Sequence, residues 1–207
     1  MRPRPRVAGS HDLPEPCRRC TYWELPQGHR GPEIPDDDEG AREAKAEWWE
    51  GATLEWQPVG LVVPGDGERD CAGFAVLGPP HRFPRAGRLG GTSPDALLLA
   101  MLWADENDER VVSSLVRAAL SAAAFAGSRA LEAFASRRPG EACHPSVPVL
   151  EAAGFTVHRH RRRYPLMRLD VRQTPGVRDR AAEALRGLRE VVPQRRGAPS
   201  MPATSRN

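Results

Sequence analysis

The chain has 207 residues, 40% of them apolar and 28% charged, with a formal net charge of +3, which suits one globular domain of about 150 residues plus tails and excludes a generally cationic protein. No window approaches the ~20 apolar residues of a membrane span, and Met1-Arg2-Pro3-Arg4-Pro5-Arg6 leads into polar residues instead of a signal-peptide core, so a cytoplasmic protein without membrane contact is expected. Four cysteines do not make a secreted disulfide framework at this length, while 21 prolines and 19 glycines predict long irregular stretches.

Residues 1–12 alternate Arg and Pro without periodicity and are expected to be disordered, leaving a domain over 13–172. Cys17 to Trp23 supplies the first buried candidates, and Pro26 to Gly40, with Asp36-Asp37-Asp38-Glu39, reads as a loop. Ala41 to Trp56 turns to helix formers, with Ala44, Trp48 and Ala52 at i, i+4 spacing, and predicts a helix covering one sheet face. Leu61–Val63 and Cys71–Leu77 read as a hairpin around the Pro64–Gly67 turn. Gly78 to Gly91 reads as irregular and basic.

Residues Asp95 to Phe134 form the organising unit. Ala96 to Trp103 is an unbroken apolar run, the mark of a strand buried on both faces. After Asp105-Glu106-Asn107-Asp108-Glu109-Arg110, the residues Val112, Leu115, Val116, Ala119, Leu120 and Ala123 fall on one helical face. Gly127 stops that helix in the left-handed region, and Arg129 to Phe134 reads as a second strand, parallel to the first through a right-handed crossover. Ser146 to Ala153 reads as a short helix ended by Gly154, followed by one last strand from Phe155 to Val171, interrupted near Tyr164-Pro165. A C-terminal helix is expected within 173–192 (Gly176 to Val191) and a disordered tail over 193–207.

This strand, loop, helix and strand, from about Gly73 to Asp170, resembles the GNAT (GCN5-related) N-acetyltransferases, whose central unit holds acetyl-CoA. Cys17-Arg-Arg-Cys20-Thr-Tyr-Trp23-Glu24, Trp48-Trp49, Glu132-Ala-Phe134 and Gly154-Phe155 further resemble a GNAT-related group found mainly in high-GC bacteria. The resemblance implies an α/β fold, a mixed twisted sheet of six or so strands with helices on both faces. It also implies acyl transfer from acetyl-CoA as cosubstrate to an amine on a small molecule or protein. The backbone of Met101, Leu102 and Trp103 would position the thioester, and the helix start at Arg110, Val111, Val112, Ser113 and Ser114 would meet the CoA phosphates.

The family's phosphate loop, Arg/Gln-x-x-Gly-x-Gly/Ala, corresponds to Asn107-Asp-Glu-Arg110-Val-Val112, with both glycine positions filled. Missing side chains normally let backbone N–H groups and the helix dipole reach an anion. Here Arg110 could serve as a phosphate ligand itself, while Asp105, Glu106, Asp108 and Glu109 would oppose an anion, and Asp108 could cap the helix instead. Acyl transfer also needs a proton path. The family's usual tyrosine, about four residues before the Gly-Phe pair, corresponds to Leu150, so Glu132 as base and Tyr164 are the catalytic candidates, with Cys143 and His144 as substitutes. Each has a packing alternative: Glu132 paired with an arginine, Cys143 as a small buried residue, Tyr164 at an edge.

Cys17-x-x-Cys20 has the spacing of half a zinc site or a redox pair, but no second pair completes four ligands, and no metal is expected. The run His158 to Arg163 is the most basic patch. The basic residues are arginines apart from Lys45, as coding from a GC-rich genome would give, and no aromatic interleaving supports a nucleic-acid platform. The competing reading of the whole chain is a non-catalytic module of the same fold that binds a ligand or partner.

Overall fold

Seven strands form one sheet in the computed structural model, which describes residues 4–30, 38–65, 71–138 and 140–173. They are β1 (Arg6–Val7), β2 (Gly60–Pro64), β3 (Cys71–Gly78), β4 (Ala96–Ala104), β5 (Ala130–Phe134), β6 (Thr156–Arg159) and β7 (Leu166–Asp170), in the order β1-β2-β3-β4-β5-β7-β6. Every neighbouring pair is antiparallel except β4 and β5, the two strands flanking the long helix, which are parallel as expected. The helices are α1 (Glu15–Arg18), α2 (Glu39–Glu55), α3 (Pro84–Arg88), α4 (Glu109–Phe125) and α5 (Val147–Ala152). The expected C-terminal helix and tail and part of the acidic loop lie outside the described residues.

Each sheet face carries its own apolar core. On one, Val112, Leu115, Ala119 and Leu120 of α4 pack with Leu150 of α5 against Leu97, Leu99, Leu131 and Met167. On the other, Trp49 and Ala52 of α2, Ala86 of α3 and the buried Leu13 and Trp23 cover Phe74, Leu98, Phe134 and Leu166. This is a mixed α/β sheet with helices on both faces. Helix α4 lies close on β3 because Gly73 has no side chain: a Cβ there would fall 2.5 Å from Val111 Cγ1. It ends at Gly127, with φ of +76°, where Ser128 N–H reaches Ala123 O at 3.0 Å and Gly127 N–H reaches Ala124 O at 3.2 Å, so the last carbonyls are satisfied.

Strand β4 is not regular. Leu77 pairs with Leu99 and Val76 with Met101, so Ala100 is an extra residue in β4. The bulge shifts the alternation, and Ala100 and Met101, though consecutive, both belong to the core under α2. It also comes where β4 leaves β5: only Ala96, Leu97 and Leu98 pair with Ala130, Leu131 and Glu132, while all of β5 stays paired with β7. Past Leu98 the edge of β4 facing β5 has no strand against it among the described residues.

Three expectations need correction. The segment 1–12 is not wholly disordered, because Arg6 and Val7 pair with Val62 and Leu61. The Arg-Pro alternation favours extended backbone suited to a sheet edge, and Arg6 binds Asp12 at 2.6 Å. The last strand is two, β6 and β7, folded into a hairpin, because Tyr164-Pro165 breaks the ladder. The stretch Gly78 to Gly91 holds a turn of 3-10 helix, Pro80–Arg82, and α3, both begun by proline at a position needing no N–H.

Candidate functional site

The parting of β4 and β5 opens a cleft of about 680 Å3. One wall is the bulged strand, Met101 to Ala104, continued by Asp105, Glu106, Asn107 and Val112. The other is the segment from Arg137 to Val149 that follows β5, and Cys17 and Cys20 close one end. Three non-glycine residues have positive φ among the described residues: Glu106 at 48°, Asn107 at 56° and Cys143 at 68°. All three line this cleft. Asparagine tolerates that region, but glutamate and cysteine are held in it at about 1–2 kcal/mol each, so backbone strain concentrates where the sheet opens.

Of the residues assigned to CoA by the resemblance, Met101, Leu102, Trp103 and Val112 line the cleft. Trp103 remains 41% exposed, its ring tilted over Phe74. Val111 is buried against Gly73, Ser114 is buried, Ser113 accepts a hydrogen bond from Arg117, and Arg110 is exposed outside the cleft lining. The start of α4 is capped by its own chain: Asp108 Oδ1 accepts the N–H of Arg110 at 2.8 Å and of Val111 at 3.3 Å. The bases bordering the cleft are Arg137 and Arg138, on the opposite wall from Asp105 and Glu106.

Behind that wall lies a network that the sequence marked only in part. The Tyr164 phenol donates to Glu141 and meets Arg30 Nη2 at 3.1 Å, and its ring stacks on His144 at 4.0 Å between centroids. His144 Nδ1 lies 3.0 Å from Phe134 O and Nε2 lies 3.0 Å from Tyr22 Oη. Since the carbonyl only accepts, Nδ1 carries the proton and Nε2 accepts from the Tyr22 hydroxyl. Burial holds the His144 pKa down to about 4, so the ring is neutral near pH 7. Glu141, despite burial, is held down to about 2 by Ser136, Tyr164 and Arg163, and burial followed by the Glu141 contact raises the Tyr164 phenol. Glu141, His144 and Cys143 line the cleft; Tyr164 reaches it through Glu141.

Glu132 is elsewhere. Fully buried, it accepts Ser93 N–H at 2.7 Å and pairs with Arg168 at 3.0 Å, and Arg168 also binds Asp95 and Asp170. It does not line the cleft, and its geometry is that of a cross-strand ion pair instead of the expected base. Cys20 contacts Cys143, with 3.4 Å between sulfurs, and that contact lowers the Cys20 thiol, while burial pushes Cys17 up to about 12. The basic run is partly engaged: His158 and Arg159 meet Ser93, and Arg161 binds the carbonyls of Leu89 and Gly90. Arg163 binds Glu141 at 2.9 Å.

No protein-family model matches the chain, and no curated protein matches it. Among solved structures it is similar to a GNAT-family protein from Desulfovibrio desulfuricans, at 18% identity over 64% of this chain and 82% of that one, with a TM-score of 0.42. It is also similar to a GCN5-related N-acetyltransferase from Brucella melitensis, at 14% identity over 84% of this chain and 76% of that one, with a TM-score of 0.42.

Proposed function

We propose that this chain transfers an acetyl group from acetyl-CoA to an amine, as a variant GNAT enzyme whose phosphate loop has lost its glycines. The observation that carries the reading is the opening of β4 from β5 past the Ala100 bulge. A strand edge with no neighbour offers backbone groups to an amide-bearing arm, as an added strand would use them, and an arm like pantetheine fits beside Met101 to Trp103. The thioester carbonyl would then lie between that edge and the wall carrying Cys143 and Glu141. Attack by the amine forms the C–N bond and breaks the C–S bond; the amine loses a proton and the departing thiolate gains one. Glu141, ionised at neutral pH, suits an incoming ammonium group, and the Tyr164 phenol bonded to it is a proton source one residue back from the cleft. Arg137 and Arg138, which line the cleft, would be the cations to meet phosphates.

The second reading, a non-catalytic binding module, is favoured by one observation: Asp108 occupies the N–H groups that a pyrophosphate would need. Calorimetric titration with acetyl-CoA and CoA, followed by a thiol-release assay over small amines and peptide amines, separates the two. Saturable binding with amine-dependent thiol release supports the enzyme. Absence of CoA binding removes it and leaves the module.

A further inference from the structure

A second concavity, of about 520 Å3, lies behind the cleft wall and is lined by Tyr22, Gln27, Gly28, His29, Arg30, Arg85, Arg88 and Arg163. We propose that it binds the phosphate group of a small phosphorylated molecule. Its four arginines come from three separated parts of the chain: the segment after Trp23, helix α3, and the hairpin between β6 and β7. Among the described residues no carboxylate lines it. Glu141 is bonded to two of its arginines, at 2.9 Å from Arg163 and 3.4 Å from Arg30, and no carboxylate among the described residues pairs with Arg85 or Arg88.

Surface arginine is common in this chain and means little by itself; the arrangement here is more specific. Arg85 and Arg30 both stand over the Tyr22 ring, at 4.0 Å and 4.9 Å from its centroid, so two like charges share one aromatic ring. Arg85 Nε is buried without a hydrogen-bond partner, and neither Arg85 nor Arg88 pairs with a carboxylate among the described residues. Converging like charges and an unmet buried donor both raise the energy of the unliganded pocket, and a multiply charged anion relieves both. Guanidinium forks match phosphate oxygens two at a time, which an ammonium does not. Tyr22 is only 3% exposed, so its ring offers no face for base stacking, which favours a small phosphorylated molecule over a nucleic-acid strand. The site stands independently of acyl transfer, although Glu141, shared by its arginines and by the cleft, connects the two.

The test is calorimetric titration of the full chain with pyrophosphate and inorganic phosphate at low ionic strength. One-to-one saturable binding is expected, weakened roughly tenfold by Arg85→Gln and at least several-fold by Arg88→Gln. Arg117→Gln, which removes the same charge from the outer face of α4, should change it less than about twofold. Arg88 is exposed, so its variant decides the matter even if Arg85→Gln fails to fold. Absence of binding, or equal weakening by Arg117→Gln and Arg88→Gln, overturns the proposal; the second result would mean only diffuse attraction to a basic surface.

Discussion

Asp108 accepts the backbone N–H of Arg110 at 2.8 Å, so α4 meets the cleft with its first free donors already satisfied. A carboxylate cap of this kind contributes ~1 kcal/mol and opposes any anion approaching the same turn. Asp108→Ala should therefore lower the melting temperature by a few degrees while tightening CoA binding roughly two- to fivefold. Melting curves and calorimetry on one preparation check both halves. Weaker CoA binding in the variant would mean that Asp108 organises the site instead of blocking it.

Glu132 was a candidate base on sequence grounds, and its surroundings now predict a different phenotype. Because its carboxylate is shared between Ser93 and Arg168 inside the sheet, Glu132→Gln should cost ~1.5–3 kcal/mol in urea denaturation. Acetyl transfer at saturating substrate should stay within about twofold. A hundredfold fall in kcat with unchanged stability would restore it as the base.

Tyr164→Phe should do the opposite. It removes the hydroxyl that bonds Glu141 and keeps the ring stacked on His144, so CoA affinity should be unchanged while kcat falls roughly a hundredfold if the phenol delivers the proton to the thiolate. An unchanged kcat would leave the phenol a purely structural role.

What the sequence disclosed and what it hid follow from the range of each signal. The run Ala96 to Trp103 and the face Val112 to Ala123 were legible because burial on two faces and a 3.6-residue period are written locally. So were Gly127 and the parallel partner β5. The Ala100 bulge was not, since one alanine inside an apolar run carries no mark; yet it helps open the cleft at Met101 to Trp103. Glu141, Arg30 and Tyr22 were missed because they sit in loops without periodicity. The meetings of Tyr22 with His144 and of Arg30 with Tyr164 join positions more than 100 residues apart. The burial of Lys45, the one lysine, is likewise decided from outside its helix, by the arrival of Glu24.

That pair supplies a prediction of its own. Lys45 and Glu24 are both buried and hydrogen-bonded to each other, and Lys45 Nζ also donates to Cys20 O at 2.9 Å, fastening the segment that carries Cys20, Tyr22 and Trp23 to α2. Lys45→Met leaves a buried carboxylate unpaired and should cost ~3–5 kcal/mol, whereas Lys45→Met with Glu24→Leu should recover much of it. Chemical denaturation of the two variants gives the comparison. A double variant as unstable as the single one would show that the bond to Cys20 O is what matters.

His144 makes stability depend on pH in a stated direction. Its pKa is about 4 in the fold and about 6.5 in the unfolded chain, so between those values the unfolded state binds the proton and the folded state does not. Stability therefore rises with pH across that window and this contribution is level above it. Because the ring is only 7% exposed, solvent screening is weak, and the difference between pH 5 and pH 7 should be about 2 kcal/mol. The carboxylates held low, Glu141 among them, act in the same sense but below their ordinary values near 4, so pH 5 to 6.5 isolates the histidine. Protonation there would add a cation within the field of Arg30 and Arg85 and take from Tyr22 the nitrogen its hydroxyl bonds. Urea midpoints should fall steadily from pH 7 to pH 5 in the native protein and stay nearly level in His144→Gln. Equal slopes in both would assign the effect to other groups and remove the neutral ring from the account of the cleft wall.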